Sequence, residues 1–296
     1  MDEQAVALER PAVLRVHPGF YADAWRRLRR NRAAMGGLAI IILFALLALF
    51  APLVSPADPI AQDLDARLLA PSRAHLLGTD DLGRDLLTRI IYGGRVSLTV
   101  GIVSIGLALF IGTFLGLLAG FYGRWADSVT MRTMDIMLGF PATLLAIFIV
   151  GVRGPGLNNA MLAIGVINIP IFARIVRGSV LRVRQEEFVE AARALGASPS
   201  RIIGRHILPN TLAPLIVQTT LGVGSAVLEA AGLSFLGLGA QAPTPEWGAM
   251  LTNTREFLRD APWAATFPGI AILLTVVGFN ILGDGLRDAL DPRLRQ

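Results

Sequence analysis

The chain has 296 residues, of which 53% are hydrophobic and 17% charged, with a net charge of +5 and no cysteine. A water-soluble domain carries about 25% charged residues and shorter apolar runs, so this composition fits a chain dissolved in lipid. The missing thiols exclude disulfides and thiolate metal sites. All 27 Lys-or-Arg positions are arginine, so no Walker A lysine is present to hold a nucleotide phosphate.

In chain order, residues 1–32 form a tail with Arg10, Arg15, Arg26, Arg27, Arg29, Arg30 and Arg32. This cluster precedes an apolar run and places the tail in the cytoplasm. The run, residues 33–57, is the first predicted span. It is longer than the roughly 7–15 apolar residues of a signal peptide, and no small-x-small cleavage site follows it. Residues 58–95 then read as an extracytoplasmic loop. His75, Asp80, Asp81 and Asp85 cluster there, a conceivable divalent-ion set. The preferred reading is a helix start capped by Thr79-Asp80-Asp81, opening a short surface helix from Leu82 to Tyr92.

Further uncharged runs are Val96–Gly123, Ile136–Val152, Gly154–Ala173, Ile207–Leu228 and Ala261–Gly283. Each is close to the roughly 20 residues that cross the hydrocarbon as a helix. Gly112, Gly116 and Gly120 form a small-residue face in the first of these, suited to close helix packing. Asp135 and Arg132 are spaced to form a local ion pair. VRGPGLNN, residues 152–159, predicts a tight turn. Glu229 ends the fifth predicted span with no arginine within one turn. It therefore needs a partner, water or a cavity, and it is a candidate pathway or gate residue; capping the next helix is the competing role. Trp247, in APTPEWG, reads as interfacial. The fold class is thus all-α integral membrane with six transmembrane helices and both termini cytoplasmic. Residues 96–288 are the main transmembrane domain and 289–296, with Arg293 and Arg295, the C-terminal tail.

Residues 184–210, RQEEFVEAARALGASPSRIIGRHILPN, are polar and lie between two spans. Seven arginines between Arg174 and Arg205 place this stretch in the cytoplasm. Gln185 to Leu195 is built of helix formers, with Glu186, Glu187 and Glu190 at the end that favours negative charge. Phe188, Ala191, Ala192 and Leu195 share one face. Gly196 suits a left-handed cap, Ser198-Pro199 restarts the chain as cap and first residue, and Pro209 can restart the next span. The expected product is a helix–turn–helix whose Ala191-Ala192 face admits another surface.

The spacing of Glu190-Ala191-Ala192, Gly196, Leu208 and Pro209 resembles the EAA signature of ABC-importer permeases. His206 stands where the family often has Ile. AWRRLRRNRAAMGGLAI, HLLGTDDLGRDLLTRIIYGGRVSL (with Leu76 where Pro is usual), LSFLGLG and GDGLRDALDPRLR resemble the dipeptide/oligopeptide branch, specifically the subunit with the extended N-terminal anchor. The resemblance implies that 184–210 is the coupling segment that docks on the ATPase. It also implies a second homologous permease, two ATPase subunits, an external solute-binding protein, and a bacterial inner-membrane location. ATP would be used by the partners, with no cofactor in this chain and no nucleic-acid role. Peptides are the expected cargo; the same branch imports nickel chelates and other small solutes. An ATP-independent carrier is the alternative from another class, but it predicts ion-coupling charges in mid-span, and the runs here are nearly free of charge. His17, His75 and His206 neighbour no nucleophile, and HExxH and GxSxG are absent, so no catalytic set emerges.

Overall fold

Some helices begin where a side chain holds their free amides. The computed structural model describes residues 20–55 and 57–291. The predicted roles of Arg10, Arg15, His17, Arg293 and Arg295 lie outside the described residues. Helix α1 spans Phe20–Arg30 and α2 spans Arg32–Leu49. Between them Asn31 accepts the Ala34 amide at 3.1 Å. A short helix, α3 (Ala51–Val54), ends the first apolar run. The 37-residue α4 (Leu86–Tyr122) follows the loop, its N-terminus capped by Asp85, which accepts both the amide and the hydroxyl of Thr88 at 2.8 Å. At about 1.5 Å per residue α4 is longer than the roughly 30 Å hydrocarbon layer. The short surface helix predicted over Leu82–Tyr92 is therefore the first part of this one helix, and its cap is Asp85 rather than Thr79-Asp80-Asp81.

Next come α5 (Arg124–Gly139) and α6 (Ala142–Arg153), bent by 93° to each other. The third span predicted from Ile136 to Val152 begins in α5 and continues in α6 across this bend. Phe140 is extended (φ −92°, ψ 140°) because the ring of Pro141 disfavours helical backbone in the residue before it. After a turn at Gly154-Pro155-Gly156, α7 runs from Leu157 to Val183. Helices α8 (Glu187–Ala194) and α9 (Pro199–Ile202), a π-helical turn (Ile203–Ile207) and α10 (Leu208–Phe235) follow. Then come α11 (Trp247–Thr254) and α12 (Trp263–Leu290).

Among the described residues there are no strands. Five helices, or six spans with the bent α5–α6 pair, are long and apolar enough to cross a membrane. The core sits where α4 and α7 meet. Gly116 lies against α7 so closely that a Cβ there would be 2.6 Å from the Ala173 carbonyl and 2.7 Å from Val176 Cβ. Gly112 and Gly120 meet Phe172 and Val180 in the same way. The small-residue face is therefore a packing seam, as close approach in lipid requires. Helix α5 is tied to α7 by ion pairs. Arg177 holds both oxygens of Asp127 (2.5 and 2.6 Å), and Arg174 meets Asp135 at 2.5 Å. Asp135 thus pairs across helices with Arg174 rather than locally with Arg132. A planar guanidinium on a neighbouring helix can reach it without bending along its own surface.

The loop before α4 folds on a buried charge. Asp80, 2% exposed, meets Arg84 at 2.7 Å and Arg89 at 3.3 Å and accepts the amides of Leu82 and Arg84. Arg89 also donates to the Pro59 carbonyl at 2.7 Å. His75 meets Asp85 at 3.1 Å, so two members of the conceivable metal set serve this loop and the α4 cap. Trp247, predicted to be interfacial, is fully buried. Its Nε1 donates to the Ile90 carbonyl (2.9 Å), and its ring meets Phe44 edge-on at 5.6 Å. A buried indole with its N–H satisfied contributes large apolar area without a polar cost.

Candidate coupling segment and membrane cavity

The polar stretch between α7 and α10 is anchored by a few residues on each arm. Helix α7 ends at Val183, and Arg184 reaches back to the Gly120 and Phe121 carbonyls (3.2 and 3.0 Å), filling acceptors left open where α4 ends. Helix α8 begins after Glu186, carries Glu187 and Glu190 in its first turn and Arg193 in its last, and so opposes the helix dipole at both ends. Val189 is fully buried and joins the core with Ile202 and Ile207 of the returning arm. The ring of Phe188 lies 6.1 Å from that of His206, which places His206 on the hairpin's own packing surface.

Beyond this anchor the segment is open. Gly196 has φ +78°, the left-handed geometry predicted for it, and its amide donates to the Arg193 carbonyl at 3.0 Å. No atom lies within 4 Å of where its Cβ would be. Leu195 is 88% exposed. Glu190 and Ala191 are exposed and Ala192 half-buried, so these three and Gly196 occupy the outer side of the hairpin. Leu208 and Pro209 sit apart from this tip, half-buried in the first turn of α10. Ser198 precedes Pro199 as predicted, but its hydroxyl faces Ser200 (3.3 Å) and caps no amide.

Two features of the segment escaped the sequence. Val189, not a member of the predicted apolar face, is the inward anchor, while Leu195 points out. The second arm is also no separate short helix: α9 passes through the π turn straight into α10. Proline lacks an amide, so Pro209 cannot close the normal i→i+4 bond. Just before it, the Leu208 amide reaches the Ile203 carbonyl five residues back, a π-type bond.

A second candidate lies deeper. Glu229 is inside α10, not beyond it, so it caps no following helix. It lines a cavity of about 430 Å³ walled by Ala142, Thr143 and Ala146 of α6, Ile167 of α7, and Gly232 and Phe235 of α10. Its Oε2 accepts the Asn168 side-chain amide at 3.1 Å, and Asn168 also donates to the Ile164 carbonyl at 2.9 Å. Among the described residues, no arginine pairs with Glu229. Asn168 was not singled out from sequence: an asparagine in an apolar run carries no periodic signal, and only the packing of α7 on α10 brings it to Glu229.

Residues 112–296 match the model of the binding-protein-dependent transport system inner membrane component family, and residues 19–71 match that of the N-terminal transmembrane domain of oligopeptide transport permease C. A dipeptide transport system permease protein DppC of Alkalihalophilus pseudofirmus is 54% identical over 93% of this chain and 90% of that protein. A di/tripeptide transport system permease protein DppC of Pseudomonas aeruginosa is 47% identical over 95% of this chain and 94% of that protein. In fold, the chain is similar to a solved inward-facing MetNI methionine ABC transporter, with a TM-score of 0.55 and 20% identity over 69% of this chain and 97% of that one. The bundle, its exposed hairpin and these matches lead to one assignment: the chain belongs to the binding-protein-dependent transport system inner membrane component family, the multi-pass permease subunits of ABC importers that work with ATPase and solute-binding partners.

Proposed function

We propose that this chain is the permease subunit of a di- or oligopeptide importer in a bacterial inner membrane, paired with a second homologous permease. The bent pair counts as one span, giving six, and both termini face the cytoplasm with the 184–210 segment. The outer surface of α8 and the Gly196 turn is where an ATPase subunit docks. The single observation that carries this is the hairpin itself. Its inward side is secured by Val189, while Leu195 is 88% exposed and, among the described residues, nothing lies within 4 Å of where a Gly196 Cβ would be.

ATP is bound by the partner and not by this chain, which has no P-loop lysine. Nucleotide binding and hydrolysis move the hairpin, and α7 and α10, rooted at its two ends, carry that displacement to the spans. The ties of α5 to Arg174 and Arg177 extend the moving body to the bent α5–α6 pair. Glu229 lies in the pathway, in the half of the membrane nearer the α6–α7 turn. Peptide cargo is the reading favoured by the two permease relatives, which match over more than nine-tenths of this chain.

The test is reconstitution of the tagged chain with its operon partners in liposomes. Expected are co-purifying ATPase subunits and uptake of a labelled dipeptide that needs ATP and the binding protein. Gly196→Trp should leave the subunit in the membrane, keep ATP hydrolysis and abolish uptake. Full uptake by that variant, or transport by the lone chain without ATP, would overturn the reading.

A further inference from the structure

We propose that Glu229, held by Asn168, is the site that reads the free primary ammonium group of the passing peptide. This rests on the peptide-importer reading above and names the contact within it. A carboxylate inside a membrane span is costly and persists where it meets a charge, a cavity or a transported group. Among the described residues no cation satisfies Glu229 internally. Its one hydrogen-bond partner is Asn168, 7% exposed, whose amide also donates to the Ile164 carbonyl (2.9 Å) and is thereby locked in place. With Oε2 turned to Asn168, Oε1 remains for a ligand.

The shape and chemistry of the cavity restrict that ligand. Its volume of about 430 Å³ lies within the roughly 300–1,000 Å³ of small-molecule sites. Ala142, Ala146 and Gly232 leave room beside the carboxylate, and the rest of the wall is almost wholly apolar. A calcium or magnesium ion asks for about six oxygen ligands, far more than one carboxylate and one amide supply. A guanidinium pairs best with both carboxylate oxygens, and one is already engaged. A primary ammonium is a compact charge that one oxygen can meet. A peptide brings that charge next to a backbone and side chains that suit an apolar wall. One charged contact in an apolar chamber also keeps occupancy weak enough for release, as a pathway site must.

The experiment uses the complete reconstituted transporter, with a dipeptide and its des-amino analogue each loaded on the binding protein at saturation. For the free-amino cargo, Glu229→Gln should lower uptake about tenfold, the scale of one charge-assisted hydrogen bond. Glu229→Asp should recover much of that loss. Uptake of the des-amino analogue should fall less than that of the free-amino dipeptide, so the ratio of the two should drop in Glu229→Gln and recover in Glu229→Asp. Unchanged free-amino uptake in Glu229→Gln overturns the proposal. A parallel fall for both cargoes makes Glu229 a packing residue and overturns it equally. Wild-type protein that hydrolyses ATP but moves no peptide refutes the importer reading instead, and so separates the two failures.

Discussion

The two polar segments that interrupt the apolar runs both turn on left-handed glycines, and the surroundings of those glycines set them apart. Gly83 in the loop before α4 has φ +74°, and a Cβ there would lie 1.7 Å from the Asp63 carbonyl oxygen. Gly196 has φ +78° and empty space around it. The first loop spends its polar groups on itself. Asp80 is buried between Arg84 and Arg89, Arg67 donates to the Asp81 carbonyl at 2.7 Å, and Asp63 donates its amide to Leu82 at 3.1 Å. The hairpin holds back: one buried valine anchors its first arm, and Leu195 is left 88% exposed. Equal polarity in sequence thus covers two opposite designs, a loop locked on itself and a turn left open to its surroundings.

Breaking the lock should give the largest effect. Asp80→Ala leaves Arg84 and Arg89, each 3% exposed or less, without their shared carboxylate. Removing one member of a buried charge set costs about 3–5 kcal/mol. The expected outcome is loss of the folded subunit from membranes, or a large fall in unfolding temperature in detergent. An unchanged melting temperature would mean that the loop is not held by this charge.

A matched pair of substitutions sharpens the contrast. Gly196→Ala meets only the left-handed backbone penalty, about 1–2 kcal/mol. Gly83→Ala meets the same penalty and the collision with Asp63 besides. Thermal unfolding of the two variants should place Gly83→Ala clearly lower. Equal melting temperatures would show that the loop yields as readily as the hairpin, and the distinction would fail. Leu195→Ser should be smaller still in stability, within about 0.5 kcal/mol, because the side chain already faces solvent. Its effect belongs to function: weaker retention of the ATPase on the tagged chain, measured by co-purification in rising salt.

The sequence made the long helices legible because an uncharged run near 20 residues has few soluble alternatives. Gly196 was legible for a similar reason, since a glycine after a run of helix formers marks a left-handed cap. The π turn before Pro209 was not, because proline signals that the hydrogen-bond ladder must change but not which way it shifts. Nor was the break at Phe140-Pro141, where continuous hydropathy hid a local backbone rule. The Asp80 hub was readable in part: Asp80 and Arg84 are four apart, but Arg89 joins them only through the fold of the loop onto α4. Asn168 beside Glu229 depends wholly on which helix faces which, and the composition of either run does not encode that.

The smallest predicted effect lies at the edge of the same hub and tests its charge balance. Asp81 sits beside Asp80, 3.5 Å from Arg84, with Oδ1 buried and without a hydrogen bond. Burial first, and then the neighbouring Asp80 carboxylate, hold its carboxyl above the usual value of 3.8, outweighing the attraction of Arg84. A carboxyl whose pKa is raised on folding favours the fold while both states are protonated. That advantage is lost as pH rises through the folded-state value. Asp81→Asn removes the charge and with it this loss. The variant should therefore unfold at a slightly higher temperature than wild type at pH 7, with the gap closing toward pH 3. A gap of the same size at both pH values would trace the effect to hydrogen bonding by the amide. A variant less stable at pH 7 would show that Arg84 needs both carboxylates, making the lock a four-member set rather than one centred on Asp80.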